Sequence, residues 1–500
     1  MRNLACFCVL ALLFAPYTIG LTQGDGTLTV MMTPIEGTLD PAFSSNDPDT
    51  AFARTLFDYF LEPLPDGTVG PNLAESWEIS DNGLIYTFDM VDNATFHDGT
   101  PVTSADVVWT FDRLRDPAVG SPASNLLTNI AAISAPDETT VAFQLSEPNA
   151  EFLLNLASRW GLVVKAGTTD FSAGNISNVG SGPFVLASYL PGFDAVFERY
   201  EGYWREGEPA LDTLIFSYEN SAVAQVEAVA DGAADFIFKL PIELTSEIEA
   251  LDGVTLLRQP TNQHPVIRLR TDVGPGQSEA VREAFKLATD RERINRLVLG
   301  GFGVLGNNDP IGPVFDAYPG NIEDTYNPSV ACDLLTEAGY GSPAVLEMTL
   351  FAPDALNYPN LADLLQQMWV DGCIYVDVVV QPESTYYSQT WLEVELGITG
   401  WGDRPSPQQL LEEAYISSGQ FNETRWDNPA LDRLIAEARQ TPPQERQPIY
   451  AEISQLFAEE GPIIVPYFAP MLGAIADDVE GLEMAGFPGL TDYRKVTVQN

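Results

Sequence analysis

Apolar positions recur along the whole chain, first in runs of strand length and then increasingly as helical stripes. Thr27–Met32 reads as a buried strand, and the turn at Gly37–Pro41 leads to a helix over 50–60. Residues 77–80 and 84–90 alternate apolar and polar positions on either side of Asp81-Asn82-Gly83. Asn-Gly between two such runs predicts a hairpin. Thr103 or Ser104 caps a helix with Val107, Phe111 and Leu114 on one face. A strand over 141–145 and a helix over 149–157 follow. Further strands are predicted at 184–189, 195–200, 213–218, 235–238, 254–259 and 266–270, with a helix at 222–230 among them. The second half is more helical. Periodic stripes predict helices at 278–288, 290–299 and 361–370, another from Asn327-Pro328 to Gly339, and one from Asn428-Pro429 carrying Leu431, Leu434, Ile435 and Ala438. Strands at 345–351, 374–380 and 463–468 alternate with these, the last being the final buried strand expected. Pro448 inside the periodic run 443–460 predicts a kink or a late start there. Alternation of the two element types in both halves suggests two α/β lobes. The Gly-, Ser-, Thr- and Asn-rich stretch 167–182 and the proline-flanked stretch 260–265 read as crossings between domains.

Length and charge narrow this picture. Five hundred residues exceed one hydrophobic core and imply roughly two to four domains. The net charge is −47, from 71 acids against 24 bases. Such a surface repels nucleic acid and anionic lipid, so neither is a main partner. The acids are scattered rather than in blocks, and a salt-rich habitat is one reading of them. Arg2 followed by an apolar run over 4–15 and Pro16 is too short to span a bilayer and predicts a secretory signal peptide over residues 1–24. Cys6 and Cys8 leave with it, and neither is placed like a lipoprotein cysteine. Cys332 and Cys373 then remain; in an oxidising compartment they can pair, or they are two buried thiols, and spacing alone does not decide.

The chemistry of catalysis is missing. His97 and His264 are the two histidines, and neither has a metal-ligand partner at helical spacing. Gly301-Phe302-Gly303-Val304-Leu305-Gly306 has the glycine pattern of a dinucleotide loop, but it follows a helix where that fingerprint must follow a strand. No cofactor, no metal and no enzymatic activity are expected. One loop stands out instead. An apolar approach at Ile398-Thr399-Gly400 runs into Trp401-Gly402-Asp403-Arg404-Pro405-Ser406-Pro407. An aromatic, an acid and a base within four residues suit the two charged ends of a small zwitterion, because a desolvated ammonium needs a carboxylate and a carboxylate needs a guanidinium or backbone donors. A surface ion pair or loop-fixing contacts are the plainer reading of Asp403 and Arg404, and interlobe packing that of Trp401.

Longer motifs carry a resemblance. Pro71-Asn72-Leu73-Ala74-Glu75-Ser76-Trp77 and its continuation to Phe88, followed by Phe96-His97-Asp98-Gly99-Thr100-Pro101, resembles the signature region of the family 5 extracellular solute-binding proteins. Gly180-Ser181-Gly182-Pro183-Phe184, Tyr203-Trp204-Arg205, Val281-Arg282-Glu283-Ala284-Phe285 and Leu334-Leu335-Thr336-Glu337-Ala338-Gly339-Tyr340 match its later landmarks in order. The resemblance implies an α/β fold of two lobes, the type II, cluster C form of periplasmic binding protein, with three domains and a hinged ligand cleft between the lobes. Domain I would comprise 25–48, 176–261 and 474–500, domain II the insertion 49–175, and domain III 262–473. It further implies a monomeric receptor in the periplasm that delivers dipeptides or short oligopeptides to the permease subunits of an ABC transporter. Asp403 falls at the position that binds the peptide amine in peptide-binding members. Arg404 stands where an aromatic is common and Ser406 where a second acid is, so the solute stays open: an oligosaccharide, an opine-like compound or a metal chelate are the alternatives, with a secreted hydrolase or chaperone-like binder further off. Phe43, Trp401 and Asn422 complete the expected ligand-binding set.

Overall fold

The computed structural model of the chain describes residues 26–64, 67–315, 317–320, 325–341, 345–404, 406–419 and 421–499. The expected signal peptide, with Cys6 and Cys8, and Pro405 of the loop lie outside these residues.

The strand Thr27–Met32 is the centre of a seven-stranded sheet. It runs parallel to both neighbours, Thr213–Tyr218 and Phe236–Ile237. A strand in that position is covered on both faces and must be apolar on both. Leu28, Val30 and Met32 accordingly face one core with Phe52, Leu56 and Phe216, while Met31 faces Val226 and Val229 of the helix Ala222–Ala230. Antiparallel strands complete the sheet: Asp194–Arg199 and Phe184–Leu190 on one side, Pro470–Ala476 and Val254–Pro260 on the other.

A four-stranded antiparallel sheet, built from the strands between Ala74 and Leu145, packs beside it. The predicted hairpin is there, with Gly83 at φ 66° in its turn. The helix Ser104–Arg115 starts in a capping box made by Thr103 and Asp106. Phe60, Phe88, Phe111 and Phe143 fill the core with rings edge to face, Phe60 on Phe88 at 5.0 Å and Phe111 on Phe143 at 5.4 Å. The second lobe holds a five-stranded sheet in the order Ile374–Pro382, Leu346–Asp354, Leu396–Trp401, His264–Leu269, Ile463–Ile464. The structure joins Cys332 and Cys373 in a disulfide, Cα atoms 5.1 Å apart, which ties the helix Pro328–Leu335 to the turn before the strand Ile374–Pro382.

Four elements differ from expectation. The helix expected over 50–60 is Asp47–Leu56, because the Asn46 side chain accepts from Asp49 N and Pro48 sits in the first turn. The run 463–468 is broken at Val465-Pro466 into two short strands, and it is not the last. Pro470–Ala476 follows, inside the seven-stranded sheet, so the chain re-enters the first lobe before residue 474. Gly473 makes that approach feasible, since a Cβ there would stand 2.8 Å from Ile237 O. The helix Pro407–Ala414 was not anticipated; Ser406 caps it by accepting from Gln409 N. The run 443–460 starts late, as Pro448 predicts, at Gln447 with the proline in the first turn.

The chain crosses between the lobes at Thr261–Gln263 and at Ala469, and the two crossings run side by side. Ala469 N donates to Gln263 O at 2.7 Å and Thr261 Oγ1 to Ala469 O at 2.6 Å. Two short bonded crossings make a hinge.

Candidate functional site

In an open α/β sheet, ligands bind outside the carboxyl ends of the parallel strands, where the strand order reverses. Here that point lies beyond Met32, Tyr218 and Ile237. A cavity of about 450 Å3 opens there, lined by Thr33, Glu36, Asn46, Asp47, Gln225 and Lys239 among others. Lys239 Nζ stands 3.6 Å from Asp47 Oδ2.

The second lobe contributes the loop after the strand Leu396–Trp401. Trp401 is the last residue of that strand, paired with His264, and is buried. Its indole N–H donates to Glu423 Oε1 at 3.2 Å. Glu423 is fully buried and also accepts from Arg268 Nε at 2.9 Å and Trp391 Nε1 at 2.6 Å. Burial pushes its carboxyl up, and the Arg268 guanidinium and both indoles oppose that. A buried ion pair in which both carboxylate oxygens are hydrogen-bonded fixes the geometry of what rests on it. Trp401 therefore enters the loop in a set orientation.

Asp403 and Arg404 are half-buried. Asp403 Oδ1 accepts from Asn262 N at 2.6 Å and Oδ2 from Gln263 Nε2 at 3.2 Å. The loop is thus bonded directly to the hinge crossing. Burial pushes the Asp403 carboxyl up; the two bonds and Arg404 pull it down, and Asp47 of the first lobe pushes it up again. Asp47 also lines the first-lobe cavity. Arg404 pairs with Glu413 at 2.9 Å and lies over the Trp401 ring at 5.5 Å. A carboxylate offers about four lone-pair sites, so two bonds to the hinge leave Asp403 able to accept from a ligand.

The structure brings Trp401, Asp403 and Arg404 together. Asn422 sits behind them, 2% exposed, with its amide donating to Ile416 O and Trp426 O and its oxygen accepting from Thr424. Phe43 packs on the core of the four-stranded sheet and lines a different cavity of about 580 Å3, with Trp109 and Arg113. Neither histidine faces the cleft. His97 lies between the carbonyl oxygens of Ser177 and Gly182; His264 is 3% exposed with Nδ1 on Asn262 O at 2.7 Å. In the glycine pattern at 301–306, Gly303 exchanges two bonds with the Asn295 side chain. Among the described residues there is no cluster of His, Cys, Asp and Glu able to hold a metal, and no helix long and apolar enough to cross a membrane.

Sequence reading missed Glu423, Arg268 and Asp47. In a chain with 71 acids no single carboxylate stands out until burial is known. The cavity had a legible signal: once Thr27–Met32 is the parallel centre of its sheet, the residues after it and after its two neighbours are the place to look.

Comparison with known proteins agrees with the geometry. The profile described as bacterial extracellular solute-binding proteins, family 5 Middle, matches residues 68–422. The di/tripeptide-binding protein 1 of Pseudomonas aeruginosa is 27% identical, covering 92% of each chain. The heme-binding protein A of Haemophilus influenzae is also 27% identical, covering 84% of this chain and 82% of its own. Among solved structures, the periplasmic murein tripeptide-binding protein MppA in its unliganded open form superposes with a TM-score of 0.86 at 23% identity, over 95% of this chain and 97% of that one.

Proposed function

Because this chain belongs to the family 5 bacterial extracellular solute-binding proteins, we propose that it captures dipeptides or short oligopeptides between its lobes and delivers them to the membrane permease of an ABC importer. It does so outside the cytoplasm and as a monomer. The observation that carries the reading is the pairing of a first-lobe cavity, set at the carboxyl ends of parallel strands, with an acid–base loop on the second lobe that is bonded to the hinge. Support also comes from the relative named for di- and tripeptides, which matches over nearly the full length of both chains.

In this reading the Asp403 carboxylate takes the peptide's ammonium, Arg404 lies within reach of its carboxylate, and Trp401 is the apolar wall. Charge-assisted contacts of this kind contribute roughly 1.5–3 kcal/mol each. The side chains of the peptide meet water and backbone, which gives breadth of specificity. Binding favours closure because one solute then touches both lobes at once.

The test is native mass spectrometry of the protein purified without refolding. Short peptides are the expected passengers. A sugar, an opine-like compound or a metal chelate in their place would overturn the peptide assignment.

A further inference from the structure

Away from the crossings, an ion pair joins the lobes. Arg446 Nη1, on the second lobe, donates to Glu151 Oε1 on the first, and the two side chains are 3% and 15% exposed. Each end is anchored in its own lobe. Glu151 precedes the helix Phe152–Leu156, where Phe152 packs on Phe143 at 5.5 Å in the core of the four-stranded sheet. The same segment continues to Arg159 and Trp160, whose side chains donate to Ser45 O at 3.2 Å and Ser44 O at 2.9 Å, just ahead of Asn46 and Asp47 in the first-lobe cavity. Arg446 precedes the helix Gln447–Glu460, and its Nε donates to Thr441 O at 2.7 Å. A helix of that length spans roughly 20 Å. Its C-terminal end lies against Arg282 and Lys286, and its N-terminal end lies beside the loop. There Tyr450 Oη accepts from Arg446 Nη1 and donates to Gln408 Oε1, each at 3.4 Å. Gln408 is the second residue of the helix Pro407–Ala414, which begins where the loop of Trp401, Asp403 and Arg404 ends. The ion pair thus stands beside the cavity on one lobe and beside the loop on the other. Arg446 Nη2 is buried and has no hydrogen-bond partner among the described residues.

We propose that Arg446 and Glu151 form a clasp across the mouth of the cleft, and that they set the receptor's affinity for its solute without touching it. In this arrangement the clasp is half made. One guanidinium amine is used and the other is buried without a partner, which costs free energy. Further closure brings the second carboxylate oxygen of Glu151 to Nη2 and completes the forked pair that a guanidinium and a carboxylate favour. The pair therefore stabilises the closed form more than the open one. A solute's apparent affinity scales with the fraction of receptor able to close. The clasp thus multiplies the affinity for every solute by one factor, and the choice between solutes stays with the loop and the cavity. Arg446 and Glu151 are positioning residues. This rests on the cleft between the lobes being the ligand site.

The test has one arm that needs no ligand. Small-angle scattering measures the radius of gyration of the ligand-free full chain for wild type, Glu151→Gln and the exchanged double variant Glu151→Arg with Arg446→Glu. Glu151→Gln should have a larger radius than wild type, and the exchange should bring it back. Glu201→Gln, an equal charge change at an exposed site of the same lobe, should match wild type. An unchanged or smaller radius in Glu151→Gln overturns the proposal. In the second arm, dialanine and trialanine are titrated calorimetrically. Glu151→Gln should weaken both by the same factor, on the order of tenfold. Unequal losses would put Glu151 in contact with the solute, and unchanged affinities would leave the clasp no part in binding; either result overturns the proposal. If neither peptide binds wild type while the radius responds as expected, the clasp stands and the peptide reading falls.

Discussion

Asp309 shows how far a single buried carboxyl can matter away from the cleft. It is fully buried in the second lobe, where Oδ1 accepts from Ile311 N at 3.0 Å. Burial pushes its pKa up to about 7, against the hydrogen bond from Ile311 that pulls it down. The unfolded chain has the ordinary value near 3.8. Between these values the folded state holds a proton that the unfolded state has lost, so stability falls as pH rises through that window and stays reduced above pH 7. Asp309→Asn keeps the acceptor and removes the charge. It should raise stability at pH 8 by roughly 1–4 kcal/mol and change it little at pH 4, as urea melts at the two values would show; equal effects at both would refute this. Residues of this kind were not legible in the sequence. Asp403, Arg404 and Trp401 were, because a loop that mixes charge, an aromatic and proline is unusual locally. Glu423 and Asp309 look like any other acid in this chain, and only the packing around them sets them apart.

Elements were more legible than residues wherever a local signal ends them. The helix Pro429–Gln440 begins where Asn428-Pro429 says it must, with Asn428 accepting from Ala430 N and Leu431 N. Pro470–Ala476 was missed because its small residues, Gly473 and Ala474, make a poor strand by composition; its place comes from the strands on either side of it. Long-range contacts likewise decide how the helix Gln447–Glu460 ends. Its last carbonyls have no partner within the helix. Lys286 Nζ, from the helix Glu279–Leu287, donates to Phe457 O at 3.1 Å and Ala458 O at 2.9 Å, and Arg282 Nε donates to Glu460 O at 3.0 Å. A cation at a helix C-terminus is also favoured by the helix dipole. Burial pushes Lys286 down to about 8 from 10.5. Between these values the unfolded chain binds the extra proton, so the native protein gains stability as pH rises through that window. Lys286→Met should cost about 1–3 kcal/mol at pH 7 by stranding Ala458 O, while Phe457 O keeps its bond from Gly461 N. Its deficit should widen at pH 10, where wild type alone has gained, as chemical denaturation at the two values would reveal.

At the scale of the molecule, the two lobes could be read from alternating elements and the crossing at 261–263 from loop composition, since both are statements about where the chain can and cannot bury itself; the return crossing at Ala469 could not. The facing of the lobes could not, because it depends on which loops a parallel sheet delivers to one edge. Net charge is the other property of the whole chain, and two of its effects oppose each other under added salt. Ion pairs weaken, which destabilises; mutual repulsion of the excess acids weakens, which stabilises. With 71 acids and 24 bases, pairing leaves most acids without a basic partner. The pair least sensitive to salt is buried, Arg268 with Glu423 at 0% and 1% exposure, while exposed pairs such as Arg433 with Glu437 contribute little at any salt. The link between the lobes from Arg446 to Glu151 is itself mostly buried and screened only weakly. Repulsion should therefore dominate. The melting temperature is expected to rise between about 0.01 and about 1 M sodium chloride, over which the screening length shrinks from about 30 to about 3 Å. Calorimetry across that range decides the matter. A fall would mean that ion pairs, rather than the surplus of acids, govern the stability of this fold.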